Sequence, residues 1–155
     1  LSLFVLIGNP LIVMAIMGAL TSAAVYRLRK TWESLSRSAM TQFNELKEFV
    51  SSDGNFANLR EATRLAELPC FPYIGTFLGD LTFLDAGAQD FTLNGLVNWS
   101  KFQATASIIM QLQAKQKTAY TFDLLPEWQS FLYYLPDHSE NDVFELSKRN
   151  ESGKQ

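Results

Sequence analysis

The chain has 155 residues, 47% of them hydrophobic, with a net charge of −3, one cysteine and one histidine. That is enough apolar material for the core of one domain, and the acidic balance argues against a general nucleic-acid binder, which needs a basic surface. A single cysteine excludes an intrachain disulfide, and one cysteine with one histidine is too few for a zinc site.

No charged residue occurs before Arg27. Residues 1–20 match the length of a bilayer span, which takes about 20 apolar residues, and Arg27, Arg29 and Lys30 would be its positive flank. Gly8, Asn9 and Pro10 interrupt the run, and no initiator Met or basic leader precedes it as in a signal peptide. A membrane segment and an apolar core helix over residues 12–20 both remain open. In the second reading the basic cluster ends a helix and complements its dipole.

Thr21 and Ser22 offer an N-cap for a helix running to about Trp32. Met40, Phe43, Leu46 and Val50 recur every three to four residues, which predicts an amphipathic helix capped by Ser36. A loop over residues 51–54 follows. Asn55 can cap a helix with Phe56, Leu59, Ala62 and Ala66 on one face, ended by Pro69. Pro72 suits the first turn of the next helix, with the stripe Tyr73, Ile74, Phe77, Leu78 and Leu81. Gly75 and Gly79 leave one face bare, which predicts a tight helix crossing. Residues 85–91 read as a polar loop.

Asn98 can cap the longest helix, to about Lys115, with the stripe Phe102, Ala106, Ile109 and Leu112. Pro126 opens a helix that Pro136 stops. Residues 139–142 have the form of a capping box, and a last helix ends in Lys148 and Arg149. Trp32 and Trp128 read as core anchors, and residues 151–155 as a frayed tail.

There is no GxSxG, HExxH or Walker loop. Cys70 lies between Pro69 and Phe71, far from His138, and reads as a buried structural cysteine. His138 follows Pro136 and Asp137 in a turn-like context.

Four blocks carry a family resemblance: SAAVYRLRKTWE (residues 22–33), NFANLREA (55–62), LPCFPYIGTFLGDLTFLDAGAQDF (68–91) and NGLVNWSKF (94–102). In order and spacing they resemble the catalytic domain of the Ras guanine-nucleotide exchange factor (RasGEF) family. The resemblance implies an all-α, irregular multi-helix array with a protruding helical hairpin. It assigns residues 13–150 to the carboxyl-terminal two-thirds or so of that domain. Residues 1–12 are then an unmatched apolar extension or fragment start, and 151–155 a tail. The implied partner is a Ras-family small GTPase, GDP-bound and then nucleotide-free, with no cofactor, metal or nucleic acid and no covalent chemistry. Residence in the cytoplasm with recruitment to the inner face of the plasma membrane, or to another membrane, is also implied, because Ras-type GTPases are lipid-anchored.

The resemblance also divides the work among residues. Leu81 and Thr82 fall where the family's hairpin faces the magnesium and phosphate site of the GTPase. A glutamate often stands directly before the following glycine; here Ala86 occupies that place. Asp85 is adjacent, but about 100° away around a helix. Phe56 and Tyr73 would line a pocket for an aromatic of the switch II segment, with Thr21 and Tyr26 touching that segment. Thr21 stands where asparagine is frequent. Asn98 and Trp99 would brace the second hairpin arm. The expectations are an exchange factor or, because of Ala86, a catalytically weakened GTPase-binding module.

Overall fold

The structure is a computed structural model that describes residues 9–151. Nine helices occur among these residues, and the nearest approach to a strand is an isolated antiparallel bridge between Phe91 and Val97. The fold is therefore all-α, as expected.

Helix α1 (Pro10–Thr21) starts two residues earlier than the hydrophobic run predicts. Asn9 accepts a hydrogen bond from the Ile12 amide, and Pro10 takes the first turn, where a missing N–H costs nothing. Residues 1–8, the part of the apolar run that precedes Asn9, lie outside the described residues. Among those described, no helix is long and apolar enough to cross a membrane.

The single helix expected from Ser22 to Trp32 is two short ones, α2 (Ala23–Tyr26) and α3 (Arg29–Glu33). The Ser22 side chain makes no cap bond. The Trp32 indole N–H instead donates to the Val25 carbonyl at 3.0 Å, folding α3 back toward α2. The exposed amides of α3 are met by Glu151, whose carboxylate accepts from the Lys30 and Thr31 amides (3.2 and 2.8 Å) and the Thr31 hydroxyl (2.8 Å). Glu151 is thus pinned rather than frayed, and Arg29 and Lys30 begin a helix rather than end one. Glu151 is also the one residue of the expected tail that lies within the described region.

Helix α4 (Arg37–Phe49) is capped by Ser36, which accepts from the Ala39 amide. Its apolar face packs on α1. Val13, Met17 and Leu46 are buried there, with Leu20, Phe43, Phe49 and Val50 around them. Trp32 lays its ring 4.7 Å from that of Phe43, at the border of this core.

Helix α5 (Asp53–Leu65) opens on a left-handed turn: Gly54, Asn55 and Phe56 have φ of 58°, 59° and 61°. Asn55 is therefore not an N-cap. Glycine and asparagine tolerate this region, whereas a bulky residue there is an outlier. Leu59, on the inner face of the helix, is 1% exposed.

Helix α6 (Ile74–Gly87) begins after Pro72, not around it, and continues through Asp85, Ala86 and Gly87, where a loop was expected. The glycine crossing does not occur. A Cβ at Gly79 would meet nothing within 4 Å, and the nearest atoms to one at Gly75 would be those of the Tyr73 ring, close enough to clash. Helix α7 (Trp99–Lys115) returns along α6 to form the hairpin. It packs through Thr105, Ile108 and Leu112, while the expected stripe residues Phe102, Ala106 and Ile109 are exposed. α7 is apolar on more than one face, and of the expected stripe Leu112 is the residue on the packed side.

Helix α8 (Pro126–Tyr133) leaves Trp128 63% exposed, so Trp128 is not a core anchor. Its ring meets Phe131 edge-on instead. Helix α9 (Glu140–Asn150) opens on the expected capping box of Ser139 and Asp142. It docks on α2 through buried Ser147, which donates to the Ala24 carbonyl and accepts from Arg27.

Candidate functional site

Thr82, Asp85 and Ala86 share the exposed face of α6, as spacings of three and four dictate. Leu81 is half-buried beside them. The Thr82 hydroxyl donates to the Leu78 carbonyl of its own helix at 2.9 Å. Ala86 adds no polar group. The Asp85 carboxylate is taken by Lys101 of α7, whose ammonium lies 2.8 Å from Asp85 and 2.7 Å from Asp90. The hydrogen bond from Lys101 lowers the Asp85 pKa, and Asp85 and Asp90 in turn raise that of Lys101. The carboxylate is thus ionised and already paired.

The connection between the arms is fixed from Asn98. Its amide donates to the Asp90 carbonyl at 2.8 Å and its side-chain NH₂ to the Gln89 carbonyl at 2.9 Å. Its side-chain oxygen caps α7 at the Lys101 amide. Gly95, at φ 75°, closes the tip by donating to the Thr92 carbonyl. Trp99, the first residue of α7, is 73% exposed. Phe83, Phe91, Leu93 and Leu96 are also exposed around this end of the hairpin.

A second locus lies where α5 meets α6. The half-buried rings of Phe56 and Tyr73 stand 6.0 Å apart, inclined by 56°. Thr21 and Tyr26 are exposed at the end of α1 and on α2. The Thr21 hydroxyl donates to the Met17 carbonyl, and the Lys47 ammonium lies over the Tyr26 ring. The expected residues thus fall into an aromatic pair, a hairpin face and a flank. Sequence reasoning missed Arg60, Asp80 and Lys101, whose pairings join different helices; no local signal marks them.

Cys70 is buried, and desolvation pushes its thiol pKa up, partly offset by Lys115. A protonated thiol under cover is a poor nucleophile. No group of His, Cys, Asp and Glu that could hold a metal occurs among the described residues. Packed helices, a helical hairpin and exposed aromatics make up the scaffold.

That scaffold has a family. The sequence matches the RasGEF domain over residues 5–103. It is 38% identical over 143 residues to Ras-specific guanine nucleotide-releasing factor 1 of Rattus norvegicus, covering 90% of this chain and 11% of that protein. Ras-specific guanine nucleotide-releasing factor 2 of Mus musculus is also 38% identical over 143 residues, covering 90% of this chain and 12% of that protein. Ras guanine nucleotide exchange factor Y of Dictyostelium discoideum is 36% identical over 136 residues, covering 88% and 9%. The chain belongs to the RasGEF domain family, and it spans about a tenth of the length of these relatives.

Proposed function

We propose that this chain is part of a guanine-nucleotide exchange factor for a Ras-family small GTPase. The observation that carries the reading is the exposed face Thr82–Asp85–Ala86 on a hairpin whose far end is fixed by Asn98 and Lys101. The names of the relatives, which include Ras-specific releasing factors, support it. Release would come from binding alone, without covalent chemistry. A hairpin seated against the nucleotide site favours a GTPase state that holds nucleotide badly, and by linkage nucleotide then expels the exchanger. Accelerating release ~10⁴-fold lowers the barrier by about 5.4 kcal/mol, which needs a rigid wedge and a wide grip. In this reading Leu81 and Thr82 crowd the magnesium site. Phe56 and Tyr73 form the pocket for a switch II aromatic, the usual design of a binding hot spot, with Thr21 and Tyr26 at its flank. Work at a membrane follows for a lipid-anchored partner.

One observation favours a second reading, a GTPase-binding module with weakened exchange. Ala86 offers no carboxylate, and the neighbouring Asp85 is held by Lys101. The test is release of a fluorescent guanine nucleotide from Ras, Rap and Ral by the full-length protein, wild type and Ala86→Glu side by side. Faster release by wild type supports exchange. Release only with Ala86→Glu supports the binding module. Neither binding nor release by any variant rejects both readings.

A further inference from the structure

Arg60, on α5, makes four hydrogen bonds. Nη1 and Nη2 donate to the two carboxylate oxygens of Asp80 at 2.6 and 2.8 Å. Nη2 also donates to the Thr76 carbonyl at 3.2 Å, and Nε to the Asn55 carbonyl at 2.7 Å. One guanidinium therefore joins two successive turns of α6 to the middle residue of the left-handed turn.

Both rings of the aromatic pair hang from these contacts. Phe56 directly follows Asn55 and has φ 61°, ψ 42°, a conformation that persists only where its surroundings over-determine it. On the other side, buried Thr76 donates both its amide and its hydroxyl to the Tyr73 carbonyl, and its own carbonyl is the one Arg60 holds. Arg60 thus reaches Phe56 through Asn55, and Tyr73 through Thr76. A planar, permanently charged fork can serve three acceptors at fixed angles; a lysine ammonium is a single point charge on a flexible stem.

We infer that Arg60, clasped by Asp80, is the positioning residue for the Phe56–Tyr73 pair: it holds the left-handed turn that sets one ring against the other. What the pair receives rests on the exchange-factor reading; the holding of the pair does not.

The test places 4-fluorophenylalanine at position 56 of the full-length protein, with a second sample labelled at Phe49 in the α1–α4 core as control. Arg60→Gln, Asp80→Asn and Arg60→Lys are compared with wild type by fluorine NMR and by nucleotide release from Ras loaded with fluorescent GDP. The expected result is a shifted or broadened Phe56 resonance in all three variants, with the Phe49 resonance in place. The exchanger concentration for half-maximal release should rise by about tenfold, more than the maximal rate falls, as for loss of a gripping contact. An unmoved Phe56 resonance would overturn the inference, as would Phe56 and Phe49 changing together, which marks general loosening. If Arg60→Gln fails to fold, Arg60→Lys carries the comparison. If wild type releases no nucleotide, the exchange-factor reading fails, and the resonance alone still decides the role of Arg60.

Discussion

The Lys101 ammonium lies 2.8 Å from the Asp85 carboxylate, sixteen residues back along the chain, and the two groups sit on opposite arms of the hairpin. Lys101 also holds Asp90, so one side chain that is only 8% exposed ties the last turn of α6, the connecting segment and the first turn of α7 together. The same contact turns the Asp85 carboxylate toward α7, so bracing of the hairpin and pairing of these two acids have a common cause.

Lys101→Met is expected to loosen the far end of the hairpin without unfolding the domain. It removes both ion pairs and leaves two carboxylates near each other. Amides of residues 89–98 should exchange with solvent about fivefold faster or more, in keeping with local opening of a weakly buried unit, while those of α1 and α4 stay protected. Hydrogen exchange read by mass spectrometry makes the comparison. Equal exchange over residues 89–98 would show that Asn98 and the bonds within the segment hold it without Lys101.

The same lock has a pH window. The hydrogen bond from Lys101 depresses the Asp85 pKa, so its contribution is present above the ordinary carboxylate value, about 3.9, and is lost as pH falls through the lower folded value. Asp85 and Asp90 raise the Lys101 pKa, so that contribution is full below the ordinary amine value, about 10.4, and is lost as pH rises through the higher folded value. Protection of residues 89–98, corrected for the intrinsic exchange rate, should be level between about pH 5 and pH 9 and fall on the acid side below that. A midpoint near neutral pH would mean that another group governs the tip.

Ser147→Ala tests the docking of α9. Ser147 is 5% exposed, and its hydroxyl donates to the Ala24 carbonyl and accepts from Arg27. Its loss leaves a buried carbonyl and one guanidinium N–H without that partner, and should cost about 1–3 kcal/mol. Urea denaturation of the two proteins gives the difference. A change too small to resolve would mean that water replaces the hydroxyl.

These contacts show which parts of the fold a sequence makes legible. Ser36, Asn98 and Ser139 cap helices by bonding residues three positions on, so identity and spacing suffice to expect them. The pairings of Arg60 with Asp80, Lys101 with Asp85 and Thr31 with Glu151 join segments 16 to 120 residues apart, and no local pattern encodes them. The residues expected on α6 and at the aromatic pair came from a family resemblance rather than from periodicity. Spacing alone would have left Phe56 as an ordinary inward-facing residue of a right-handed helix, because left-handed φ at a phenylalanine is what propensity rules argue against.

Side-chain size misleads in a related way at Trp128, and a paired substitution exposes the difference. Leu59 is 1% exposed, and replacing it with alanine removes buried methyl groups and leaves a cavity that a packed interior refills only in part. Leu59→Ala should therefore cost about 2–5 kcal/mol. Trp128 is the larger side chain, yet it is 63% exposed and its ring contact is Phe131 on its own short helix. Trp128→Ala should change stability by no more than about 0.5 kcal/mol, as at other surface positions. Denaturation midpoints of the two variants rank them. If Trp128→Ala proved as costly as Leu59→Ala, the indole would have to be covered in the full-length protein, and α8 would belong to a core that extends beyond residues 9–151.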